Sequence, residues 1–170
     1  MQTLLNVPGL CERLSKLAPS TVVGIEGFMG SGKTQLANEL AGNLACVVLH
    51  IDDYLVPQEE ELAYAERLNY DLFRAALQEG LRKNTLVLIE GICLRQVVTR
   101  LSVAPALFVY VMRMSVSGLW HDGFHLADFE ATPNSEPEEV HRSDFRYHSS
   151  IRPHEQAQLL FHRIEWHSEV

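Results

Sequence analysis

The residues most able to do chemistry stand at Gly27-Phe28-Met29-Gly30-Ser31-Gly32-Lys33-Thr34, an unbroken match to Gly-x-x-x-x-Gly-Lys-Ser/Thr. Glycines let the backbone curl so that successive N–H groups converge on phosphate oxygens. A helix that begins there adds the positive end of its dipole. In such a loop Lys33 reaches the β- and γ-phosphates and the Thr34 hydroxyl holds Mg²⁺. Gly27–Thr34, with Gln35 directly after, is therefore the expected site for ATP and Mg²⁺.

Three acids are candidates for the other half of a phosphoryl transfer. Asp52 and Asp53 follow the apolar run Cys46–Ile51, and Glu90 ends the run Thr85–Glu90. In open α/β sheets ligands gather beyond the carboxyl ends of strands. Adjacent side chains at a strand end diverge, so the two aspartates are expected to have different tasks. A kinase acting on an alcohol needs a carboxylate to accept the hydroxyl proton, and Asp52 is the expected base. Asp53 and Tyr54 are expected to contact the acceptor. Asp52, Glu90 and Thr34 are the expected metal-side oxygens. Arg142 and Arg146 are candidates to clamp the transferring phosphoryl group.

These residues need elements to hold them. Thr21–Glu26, Cys46–Ile51, Thr85–Glu90 and Ala106–Met112 are short β-branched runs that read as buried strands, with a fifth in Gln156–Trp166. Between them lie helical stripes: Leu36, Leu40 and Leu44, and later Leu94, Val97, Val98 and Leu101. Asp71 reads as a helix N-cap and Gly80 as the stop of that helix. Glu59–Asn69 is polar and helix-prone. The alternation predicts a three-layer α/β P-loop fold around a mostly parallel, five-stranded sheet. Residues 114–145 differ: they carry Gly118, Gly123, Pro133, Pro137 and several acids, and read as a short lid-like insertion outside the core. His121 and His125 stand at i, i+4 there, but the two glycines argue against a helix, so a zinc site is not the expectation.

The chain of 170 residues fits one domain, 1–170. Its 14 Lys+Arg against 22 Asp+Glu give a net charge of -8, which argues against a non-specific nucleic-acid binder. One phosphate site built from backbone N–H groups and a single lysine is compatible with that balance. The 3 cysteines, Cys11, Cys46 and Cys93, show no CxxC spacing and no disulfide framework. No segment reads as a signal peptide or a membrane span, so a cytoplasmic setting without membrane contact is the expectation. Neither D-x-x-G nor N-K-x-D occurs, which weighs against a GTPase.

The chain resembles the uridine kinase/phosphoribulokinase-like P-loop kinases, a group that includes nicotinamide riboside and pantothenate kinases. The likeness rests on Gly24–Thr34, Asp52-Asp53-Tyr54, Tyr70-Asp71, Ile89-Glu90-Gly91 and the tail Tyr147-His148, Arg152-Pro153 and Ala157. It implies a small-molecule acceptor, Asp52 as base, and Glu90 on the metal or acceptor hydroxyls. Such kinases often have an arginine-rich lid, whereas residues 114–141 contain no arginine. A nucleotide-dependent ATPase that works with a protein partner is the alternative reading.

Overall fold

The computed structural model describes residues 2–57, 62–132 and 138–164. Six strands are described: β1 (Gln2–Leu4), β2 (Val22–Glu26), β3 (Cys46–His50), β4 (Leu86–Glu90), β5 (Leu107–Met114) and β6 (Leu159–Ile164). They form one sheet in the order β1-β6-β5-β2-β4-β3, and every neighbouring pair is parallel. The sheet thus has six strands where five are legible in the sequence, and no antiparallel pair among them. The additional strand is β1, only three residues long and mostly exposed. It has too little apolar pattern to announce itself, and pairs through its backbone with Leu159–Phe161.

Parallel strands covered on both faces must be apolar throughout. All residues of β2 and β4 are buried accordingly. Side chains alternate between the faces. Val23 and Ile25 pack with Leu10 and Leu14 of α1 (Val7–Leu14) and with Leu36, Ala37 and Leu40 of α2 (Lys33–Ala41). Val22, Val87 and Ile89 face the other way. There they meet Phe73 and Leu77 of α3 (Tyr70–Arg82) and Leu94, Val97 and Val98 of α4 (Leu94–Leu101). The chain runs to one side of β2 for β3 and β4, then crosses to the other for β5 and β6. The loop after β2 therefore opens at the point where strand order reverses, the place where such sheets bind ligands.

Four local expectations are corrected. The N-cap of α3 is Asn69, whose side chain accepts from Leu72 N–H, and Gly80 lies inside the helix. A Cβ at Gly80 would sit 3.2 Å from Val87, so the small residue lets α3 approach the sheet and does not end it. Glycines do not prevent a helix at His121: α5 runs His121–Ala131 with Gly123 inside it, where the ring of Trp120 leaves no room for a Cβ. The described residues of 114–145 also do not stand apart from the core. Asp122, Leu126, Phe129, Ser143 and Asp144 are buried, the last two on α6 (Glu139–Ile151). The expected helix at Glu59–Asn69 is a single 3₁₀ turn, Tyr64–Glu66, in the part described; residues 58–61 fall outside it. Pro133–Pro137 and Trp166 also lie outside the described residues. Last comes the short helix α7 (Pro153–Gln156).

Candidate active site

The phosphate loop leaves β2 at Glu26 and enters α2 at Lys33. Gly27 has φ +153, and a Cβ on it would lie 2.6 Å from the Val111 carbonyl oxygen. Gly32, the helix N-cap, has φ +89. Both demand glycine. The hydroxyl of Ser31 is buried in the loop without a partner, and Lys33 is buried with its ammonium donating to the Phe28 carbonyl at 2.7 Å. Buried groups of this kind are costly when unserved. A cradle closed to Cβ atoms, an orphan hydroxyl and one buried cation fit a phosphate-bearing ligand. Burial pushes the Lys33 pKa down, opposed by the charges of Asp144, Glu90, Asp52 and Asp122.

Thr34 and Glu90 meet across the crevice. The Thr34 hydroxyl donates to Glu90 Oε1 at 3.0 Å, and His50 Nδ1 lies 2.6 Å from the same oxygen. A hydroxyl and a carboxylate side by side are the hard oxygen donors that Mg²⁺ prefers. Among the described residues no three His, Cys, Asp or Glu side chains cluster as a metal site. Thr34 and Glu90, together with phosphate oxygens, could hold that ion.

Asp52 lies in the 3₁₀ turn Ile51–Tyr54 that follows β3. One of its oxygens, Oδ1, accepts from the Tyr64 hydroxyl. Burial and the neighbouring Asp52 charge hold the Tyr64 pKa far above its ordinary value, so the phenol remains a donor. Lys33, Thr34, Asp52, Tyr64 and Glu90 line one cavity of about 330 Å³, whose remaining walls include Leu55, Ile92 and Val140. The expected loop, base and metal-side acid are therefore brought together. Tyr64 and His50 were not foreseen: neither stands in a motif, and each is recognised only by its partner.

Other expected residues lie elsewhere. Asp53 is exposed, as Asp52 is, but it does not line the cavity around Lys33. Tyr54 packs edge-on against Phe73 at 4.7 Å, in a core role. Gln35 donates to Glu39 on the exposed side of α2. Arg142 and Arg146 both approach Glu139, at 2.9 and 3.7 Å, and neither lines the cavity around Lys33.

Helix α6 grips the phosphate loop from its other flank. Asp144, almost fully buried, accepts from Met29 N–H at 2.7 Å. One turn later His148 stacks on Phe28, with ring centroids 3.6 Å apart. Its Nδ1 donates to the Asp144 carbonyl at 2.8 Å. On β5, Arg113 pairs with buried Asp122 of α5 at 2.7 Å. Behind the loop, Glu26 is wholly buried and held by Arg95 at 2.8 Å and by the Tyr147 hydroxyl at 2.7 Å.

No family model matches the chain. Its sequence is 42% identical over 59 residues to the uridine kinase of Staphylococcus haemolyticus (strain JCSC1435), covering 32% of this chain and 28% of that one. It is 39% identical over 77 residues to the uridine kinase of Staphylococcus carnosus (strain TM300), covering 43% and 37%. These matches span well under half the length of the curated relatives. Its fold is similar to that of a possible uridine kinase from Bacillus stearothermophilus, with a TM-score of 0.56 at 18% identity over 91% of this chain and 96% of that chain. The chain is similar to uridine kinases over part of its sequence, and its fold is that of P-loop kinases. The thymidylate kinase of Candida albicans shares that fold more distantly, with a TM-score of 0.50 at 13% identity over 88% of this chain and 86% of its own. No helix among the described residues is long and apolar enough to cross a membrane.

Proposed function

We propose that this protein transfers the γ-phosphoryl group of ATP to a hydroxyl of a small metabolite, a nucleoside, a riboside or a similar alcohol. The observation that carries the reading is the 330 Å³ cavity that joins Lys33 and Thr34 of the phosphate loop to Asp52 and Glu90. Bound ATP and Mg²⁺ supply the phosphoryl group and neutralise its charge.

The chain's own residues do the rest. Backbone N–H groups from Gly27 to Thr34 cradle the phosphates. Lys33 turns from the Phe28 carbonyl onto a phosphate oxygen, where its charge offsets the one that develops. Tyr64 fixes Asp52 through Oδ1, which leaves Oδ2 to accept the proton of the acceptor hydroxyl. Glu90 and Thr34 hold the metal side, with His50 orienting Glu90. Leu55, Ile92 and Val140 exclude water around the reacting oxygen.

ATP consumption measured with and without nucleosides, ribosides and pantothenate tests the reading. Turnover that depends on the added alcohol supports it. Hydrolysis that ignores every alcohol and responds to a protein partner favours the ATPase alternative.

A further inference from the structure

Arg113 stands at the edge of the phosphate loop although it belongs to no motif. It lies near the end of β5, the strand beside β2. A Cβ on Gly30 of the loop would be 3.9 Å from its Nη1. With Phe28, Met29, Gly30, Asp122 and Asp144 it lines a second cavity, of about 290 Å³, which shares only Met29 and Gly30 with the one around Asp52. This part of the loop is its γ-phosphate end. The Lys33 ammonium, the group that reaches the β- and γ-phosphates, donates to the Phe28 carbonyl there at 2.7 Å. The arginines expected to clamp the phosphoryl group, Arg142 and Arg146, approach Glu139 instead, and residues 114–141 contain no arginine. The partner of Arg113 is Asp122 of α5, which accepts through Oδ1 at 2.7 Å. Asp122 is almost fully buried, and its Oδ2 has no hydrogen bond. Burial pushes the Asp122 pKa up against the pull of Arg113. The carboxylate is thus only half served by the pair.

We infer that Arg113 is the arginine that grips the γ-phosphate, and that Asp122 holds it beside the loop until ATP arrives. The inference rests on the ATP-binding half of the proposed kinase reading. A terminal phosphate offers the guanidinium fork two charged oxygens where Asp122 offers one. Asp122, left behind, is already moved towards its protonated form by burial, so it need not remain a bare charge. Arg113 then stands with Lys33 at the same end of the loop, and the two cations together offset the charge that develops on the transferring group.

The test compares the wild type, Arg113→Met, Asp122→Asn and the double variant. Each full chain is titrated calorimetrically, in the presence of Mg²⁺, with ADP and with a non-hydrolysable ATP analogue. Arg113→Met is expected to weaken the analogue by about tenfold or more and ADP by less than about threefold. Asp122→Asn releases Arg113 from its counter-ion and is expected to tighten the analogue by about threefold or more. The double variant, which carries neither charge of the pair, is expected to bind no better than Arg113→Met. Undiminished analogue affinity in Arg113→Met, an equal loss for ADP and the analogue, or a gain from Asp122→Asn that survives in the double variant overturns the inference and leaves the kinase reading standing. Should Arg113→Met fail to fold, the comparison of Asp122→Asn with the double variant decides. A wild type that binds neither nucleotide overturns the ATP reading and the inference with it.

Discussion

The carboxylate of Asp144 on α6 accepts a hydrogen bond from Met29 N–H of the phosphate loop at 2.7 Å. It is also foremost among the carboxylates whose charge acts on the buried Lys33. One side chain thus fixes the outer part of the loop and places negative charge beside the site meant for a triphosphate. The two effects separate by substitution. Asp144→Asn keeps an acceptor for Met29 and removes the charge, so ATP is expected to bind more tightly, by about threefold to tenfold. Asp144→Ala removes the anchor as well and is expected to lower the melting temperature. Calorimetric titration with a non-hydrolysable ATP analogue checks the first point, and unchanged or weaker binding to Asp144→Asn contradicts it.

Tyr64 is predicted to act through Asp52. Tyr64→Phe leaves Asp52 Oδ1 without its donor, which costs roughly 1–2 kcal/mol of positioning, or about tenfold in kcat. KM for ATP should stay within about twofold, since the loop is untouched. Loss of ATP affinity in place of turnover would assign Tyr64 a structural role.

Lys33 carries a linked prediction about stability. Burial disfavours its ammonium form more than the nearby carboxylates favour it, so its folded pKa lies below the ordinary 10.5. Between those two values the unfolded chain binds more protons, and stability rises with pH across that window. Lys33→Met lacks this dependence. Its melting temperature is expected to equal or exceed that of the wild type at pH 7, and the difference should shrink as pH rises towards 10. Thermal scans of both proteins over that range measure it.

The ion pair behind the loop is a stability element. Arg95→Met leaves Glu26, fully buried at the end of β2, without its cation. Removing one partner of a buried pair costs about 3–5 kcal/mol, a fall of roughly 6–20 °C in melting temperature for a chain of this size. Arg95→Met together with Glu26→Gln should recover part of that loss. A double variant no more stable than the single one would show that the charge of Glu26 is not the cause.

What was legible in the sequence is what lies close together along it. The phosphate loop occupies eight consecutive residues, and Asp52 and Glu90 mark the ends of apolar runs, so their shared edge followed from strand order. The partners that complete the site come from far along the chain. Asp144 stands 115 residues from Met29, Tyr147 stands 121 from Glu26, and Arg95 stands 69 from Glu26. No local pattern encodes such pairings. Arg142 looked like a clamp because arginine suits phosphate, but Glu139 three residues earlier on the same helix face engages it. The helix at His121–Ala131 was hidden for another reason. Gly123 is a poor helix former by intrinsic preference, and its packing against Trp120 overrides that preference.

Asp52→Asn tests the central claim most directly. The wild-type chain and this variant are compared for transfer of labelled γ-phosphate from ATP to whichever alcohol the wild type accepts, alongside their affinity for an ATP analogue. The account predicts that turnover falls by about a hundredfold or more while analogue affinity changes by less than about threefold. Turnover at the wild-type rate in Asp52→Asn would contradict it.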